Sequence, residues 1–139
     1  SLIKYLARKG YNCTGIDLHR SLMESMNSDN PKFLYGKSDS MSEYVGFNNF
    51  DVIMLFDVLE HCFTVEAVIS EIEKVARSGA LVIINLPRTS MSYVDDAYEH
   101  LRMFSDRMIN NYFGDKKNFL QERCEDENGD PTSFITYNI

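Results

Sequence analysis

Apolar residues run almost without a break from Phe50 to Phe56, and the run ends in Asp57, Glu60 and His61. This is how a buried parallel strand reads when it delivers polar side chains to the carboxyl edge of a sheet, where α/β folds place their ligands. Val65, Val68, Ile69, Ile72, Val75 and Ala76 then recur at helical spacing, and Ser78-Gly79 stops the helix they predict. Residues 80–86 predict a second buried strand, closed by Pro87, which has no N–H to donate to a ladder. Upstream, Leu2, Ile3 and Leu6 share one helical face ahead of Gly10, so the chain begins in or just before a helix. Residues 11–17 and 32–36 predict strands on either side of a short helix, for which Ser21 and Glu24 offer a capping box. Residues 37–49 are polar and predict a loop with one helical turn. Ser105 predicts the cap of a helix reaching Phe113, with Gly114 just beyond its end. Residues 118–125 and 133–139 predict two more strands, and Asn128-Gly129 between them is a strong hairpin signal.

Strands alternating with helices predict an α/β fold, one domain over residues 1–139, whose mostly parallel sheet is covered on both faces and ends in an antiparallel hairpin. Residues 50–56 are expected at its centre. Composition narrows the function. The net charge of −7 argues against nucleic acid, which leaves a basic footprint. No apolar run is long enough to span a membrane, and Ser1 opens no signal-peptide pattern. Cys13, Cys62 and Cys124 form no CxxC pair and read as reduced thiols of a cytoplasmic protein, with Cys62 as a small buried hydrophobe.

Asp57, Glu60 and His61 stand at i, i+3 and i+4. On a helix the last two lie one turn beyond the first and address a common spot. A carboxylate set with an imidazole suits a divalent metal. His100 lies in the segment after the second buried strand, which is expected to pass over the same edge and bring a fourth group. Two other readings stand beside this one. His61 serves as a base without metal, or Asp57 and Glu60 are the N-cap and N3 residues of a capping box. Asp17, at a strand end, likewise reads either as a ligand for hydroxyls or as a cap of the next helix.

Taken in order, these segments resemble the class I S-adenosylmethionine-dependent methyltransferases. Residues 11–18 resemble that family's second strand, whose terminal acid, here Asp17 followed by Leu18, holds the cofactor ribose. Residues 33–41 resemble the third strand and adenine turn, which makes Asp39, Ser40 and Met41 the adenine contacts. Residues 50–61, ending Asp57-Val58-Leu59-Glu60-His61, resemble the fourth strand, with Phe56 on the cofactor floor. Residues 77–87 resemble the fifth strand, and Glu99-His100-Leu101-Arg102-Met103-Phe104-Ser105 resembles a later segment of a subgroup that includes ubiquinone-biosynthesis O-methyltransferases. The resemblance implies a Rossmann-like sheet, S-adenosylmethionine as cofactor, and methyl transfer to a hydroxyl, less readily a nitrogen, of a small molecule. It implies His61 or His100 as base, or a magnesium, manganese or zinc ion on Asp57, Glu60, His61 and His100, as in small-RNA 2′-O-methyltransferases. Those carry Glu where Asp57 stands. Residues 88–113 would form the substrate lid.

The family's glycine-rich cofactor loop and first strand would precede Ser1 and are not in the sequence. The expectation is therefore an N-terminally truncated domain that binds cofactor weakly or not at all. Two neighbouring strands are expected to lack a partner or to pair with each other, and their exposed edges to favour self-association. The rival function is a degenerate, non-catalytic piece serving as a structural or interaction module. A nucleotide-binding α/β domain of another kind leaves Glu60, His61 and His100 without a role.

Overall fold

A computed structural model describes residues 1–26, 28–88 and 100–139. Its elements are α1 (Leu2–Arg8), β1 (Thr14–Asp17), α2 (Arg20–Ser25), β2 (Lys32–Tyr35), a 3₁₀ turn (Ser38–Ser40), α3 (Met41–Val45) and β3 (Phe50–Phe56). A second 3₁₀ turn (Leu59–His61), α4 (Val65–Val75), β4 (Ala76–Pro87), α5 (Asp106–Phe113), β5 (Lys117–Glu125) and β6 (Pro131–Asn138) follow. β1 and β2 pair in parallel as a two-stranded sheet, and the other strands form a four-stranded sheet in the order β3-β4-β6-β5. β3 and β4 are parallel, and the C-terminal hairpin supplies the two antiparallel pairings.

The helices α4 and α5 cover one face of the larger sheet. Val65, Val68 and Ile72 of α4, Val82, Ile84 and Leu86 of β4, Ile109 and Phe113 of α5, and Ile135 of β6 are all fully buried in one core. Burying each such side chain is worth about 1.5–3 kcal/mol. The alternation of β3 explains how it joins this core. Ile53 and Leu55 point inward, whereas Val52, Met54 and Phe56 stay 45%, 40% and 40% exposed on the opposite face.

This corrects the reading of residues 50–56 as a central strand covered on both faces. β3 lies at the edge of its sheet and pairs with β4 alone, and among the described residues no element covers its outer side chains. A continuous apolar run does not reveal how many neighbours a strand will find. Among the described residues β1 pairs with β2 and β3 with β4, and neither β1 nor β3 pairs with a further strand.

Local signals fared unevenly. Ser105 caps α5, its hydroxyl accepting from the Met108 N–H at 3.3 Å. The Asn128-Gly129 turn closes as expected, with Asp126 Oδ1 accepting from the N–H groups of Asn128 and Asp130 at 2.8 and 2.9 Å and Gly129 at φ +85°. α2 lacks the capping box. It starts at Arg20 after His19, with no side-chain cap, and Glu24 turns to Arg20 at 3.7 Å. α4 ends one residue before Ala76, which already pairs with Phe50; Gly79 at φ +83° then lets the chain bulge before Leu81 meets Val52. Arg77 Nη1, donating to both carboxylate oxygens of Asp51 at 2.9 and 2.7 Å, spans this irregularity.

Glu71 ties α4 to α3. Its buried carboxylate accepts from Lys74 Nζ at 2.6 Å and from the Ser42 N–H at 2.7 Å. Burial alone would raise its pKa, but these donors prevail and hold the carboxyl below its ordinary 4.5. The stabilisation is therefore complete above that ordinary value and fades as pH falls through the lower folded one. Glu71→Gln is expected to cost about 1–3 kcal/mol at pH 7. In urea unfolding the gap to the parent chain should close as the parent's Glu71 carboxyl protonates near the acid limit. A gap unchanged between pH 7 and that limit would contradict the assignment.

Candidate active site at the carboxyl edge

β1, β2, β3 and β4 all deliver their following residues to one kind of edge, the carboxyl end of a parallel strand. After β3 the chain turns at Asp57, which takes φ +52°, a left-handed value that Asp tolerates better than most residues. The single 3₁₀ turn that follows buries Leu59 and Glu60. A strap then crosses this edge from the far side. The Phe104 N–H donates to the Pro87 carbonyl at 3.1 Å, and the Leu101 N–H donates to the Glu60 carbonyl at 2.8 Å. Arg102 closes the arrangement with a 2.9 Å bond from a terminal guanidinium nitrogen to the Phe63 carbonyl.

The strap brings His100 onto His61. The ring centroids are 4.9 Å apart at 69°, and ligand atoms of Glu60, His61 and His100 all lie within 4.8 Å of one another. Glu60 Oε1 is 4.0 Å from His61 Nε2. Neither carboxylate oxygen of Glu60 has a hydrogen-bond partner among the described residues, and both are fully buried. Burial accordingly pushes the Glu60 carboxyl up. A buried carboxylate without donors is costly unless a cation or a proton joins it. Two imidazoles and one such carboxylate are therefore chemically suited to a divalent ion or to a shared proton.

Asp57 departs from its expected place. Its positive φ takes it off any helical path, it is exposed, and it lies outside the three-residue group, although its charge still reaches Glu60. The capping-box alternative is not formed either: Val58 precedes the 3₁₀ turn, and no side chain caps it. The i, i+3, i+4 argument assumed an α-helix, and the structure has a single tighter turn.

The expected cofactor residues line the neighbouring strand ends. Asp17 closes β1, exposed, with Oδ1 accepting from the His19 N–H at 2.8 Å. Leu18 beside it is 63% exposed. Asp39 and Ser40 lie in the 3₁₀ turn after β2, and Met41 opens α3 with its side chain against the core. Phe56 meets Phe134 edge to face at 6.1 Å.

Two features escaped the sequence. Ser38 Oγ lies 3.4 Å from Cys62 Sγ, so the turn after β2 touches the turn after β3. Cys62 is partly buried, as read, but its thiol also donates to the Val58 carbonyl at 3.2 Å, and burial pushes its pKa up. The other feature is Arg102, whose only sequence signal is its place two residues after His100. Residues 89–99, part of the segment read as a lid, lie outside the described residues.

Comparison with known proteins bears on this edge. No curated protein sequence matches the chain significantly. Among solved structures, a S-adenosylmethionine-dependent methyltransferase from Archaeoglobus fulgidus superposes with TM-score 0.77 at 12% identity, over 99% of this chain and 80% of that one. The Burkholderia thailandensis 1,6-didemethyltoxoflavin-N1-methyltransferase, solved with 1,6-didemethyltoxoflavin and S-adenosylhomocysteine bound, gives 0.76 at 14% identity, over 97% of this chain. The chain spans 64% of that enzyme's length. The [4+2]-cyclase SpnF gives 0.73 at 13% identity, over 96% of this chain and 69% of that one. These likenesses establish the Rossmann-like methyltransferase fold. The methyltransferase domain family itself matches residues 1–84, more than half of the sequence, and the chain belongs to that family.

Proposed function

We infer that this domain transfers a methyl group from S-adenosylmethionine to a hydroxyl oxygen, less readily a nitrogen, of a small molecule. The observation that carries the reading is the Glu60–His61–His100 group after β3, whose neighbour Cys62 meets Ser38 of the turn that holds Asp39. Fold alone would not suffice, because a cyclase shares it.

The reaction is an in-line displacement. The acceptor oxygen attacks the sulfonium methyl, the sulfur–carbon bond breaks, and S-adenosylhomocysteine leaves with the bonding pair. The chain's residues position the two reactants and take the acceptor's proton. Asp17 offers a carboxylate to the two ribose hydroxyls, Asp39, Ser40 and Met41 border the adenine, and Phe56 with Leu18 supplies apolar surface. His61 or His100 takes the proton, with Glu60 available to balance the imidazolium. A magnesium, manganese or zinc ion fits the same three donors; Glu60, His61 and His100 would hold it, and it would lower the pKa of the acceptor hydroxyl.

The edges of β1 and β3 that pair with no strand among the described residues favour a second reading, a non-catalytic interaction module. Calorimetric titration with S-adenosylhomocysteine separates the two. The catalytic reading expects one binding site, weakened by about 1–3 kcal/mol in Asp17→Ala. No binding supports the module, and equal affinity in the variant makes Asp17 only a turn residue.

A further inference from the structure

Four of the seven arginines form ion pairs among the described residues. Among the described residues, Arg20 meets Glu24, Arg77 meets Asp51, and Arg88 and Arg123 share Asp106. Arg102 is different. It is partly buried, and among the described residues its one hydrogen bond runs from a terminal nitrogen to the Phe63 carbonyl. Arg8 and Arg107 also form no ion pair among the described residues, but both are exposed. A guanidinium carries five N–H donors in a rigid fork. Four of those of Arg102 remain for something else.

Its position is fixed on both sides. The backbone of the strap is bonded at Leu101 to Glu60, and the Arg102 head reaches back to Phe63, so the charge stands beside the Phe63 carbonyl, on the strap that also carries His100. It is close enough to act electrostatically on the Cys62 thiol. A half-desolvated cation with open donors at this spot is a receptor for a planar anion.

We propose that Arg102 is a specificity-determining residue that binds the carboxylate of the acceptor, and that the methyl acceptor is a small hydroxylated carboxylic acid. The proposal rests on the methyl-transfer reading for the role of His61 and His100. The carboxylate pairs with the fork while the hydroxyl of the same molecule faces the imidazoles.

The test compares two probes, salicylate and phenol, which share an aromatic hydroxyl and differ by the carboxylate. Each is titrated into the ¹⁵N-labelled chain while the Arg102 Nε–H and the histidine ring signals are followed. Salicylate is expected to move the Arg102 signal together with those of His61 and His100, and to bind roughly tenfold or more tightly than phenol. Arg102→Gln should abolish this preference, Arg102→Lys should restore only part of it, and Arg107→Gln should leave it intact. A purely structural Arg102 would lower thermal stability when replaced without changing the ratio of the two affinities. Equal affinities for the probes, or a preference that survives Arg102→Gln, overturns the proposal. The parent chain alone decides the first point, so a variant that fails to fold does not protect it. If S-adenosylhomocysteine binding depends on Asp17 while the probes bind alike, the anion site falls and the methyl-transfer reading stands.

Discussion

His61→Ala is expected to lower methyl-transfer turnover by roughly 10²–10⁴-fold, the range for loss of a positioned base. The measurement is transfer of labelled methyl from S-adenosylmethionine. His100→Ala should fall in the same range, because the two rings stand 4.9 Å apart beside one buried carboxylate. The double variant should lose little more than either single one, since residues acting as one unit are not additive. Chelator divides the two forms of the mechanism. With a bound ion, chelation abolishes turnover and magnesium, manganese or zinc restores it. With a metal-free base, chelation changes nothing and the histidine effects remain. Normal turnover in both single variants would remove the cluster from the chemistry altogether.

The largest stability effect is expected at Phe113. Its ring is fully buried at the end of α5 and lies 5.8 Å from the Tyr137 ring of β6, so it joins the helix to the hairpin. Phe113→Ala removes that contact and leaves a cavity, costing about 3–5 kcal/mol. A domain of this size has about 5–15 kcal/mol of net stability, so the urea midpoint should drop steeply or the chain should unfold outright. Phe63 is the control. It is 89% exposed, and Phe63→Ser should change stability by no more than about 0.5 kcal/mol. Similar losses at the two positions would mean that the helix–hairpin core is not where the stability resides.

The contrast between these two phenylalanines also marks how far a sequence can be read. Phe113 is legible because helical spacing, the Ser105 cap and Gly114 are local signals, and α4 and the Asn128-Gly129 turn are legible for the same reason. The extent of β3 was readable, but not its position at a sheet edge, because pairing depends on which other strands arrive. The meeting of His61 with His100 followed from knowing that both lie beyond strand ends. The failure of Asp57 to join them follows from one backbone angle, φ +52°, that no residue spacing encodes. Arg102 on Phe63 and Ser38 on Cys62 are contacts 39 and 24 residues apart. Both are created by turns that juxtapose segments without any shared pattern.

The Glu60–His61–His100 cluster and Asp17, the proposed ribose ligand, are expected to serve one reaction. The chain has three histidines, so their ring signals can each be assigned with single variants. Titrating S-adenosylhomocysteine to saturation while recording these signals tests the claim directly. The account predicts that the His61 and His100 signals move along one binding curve and that Asp17→Ala shifts that curve to higher concentration. Saturable, Asp17-dependent binding that leaves both ring signals unmoved would contradict it.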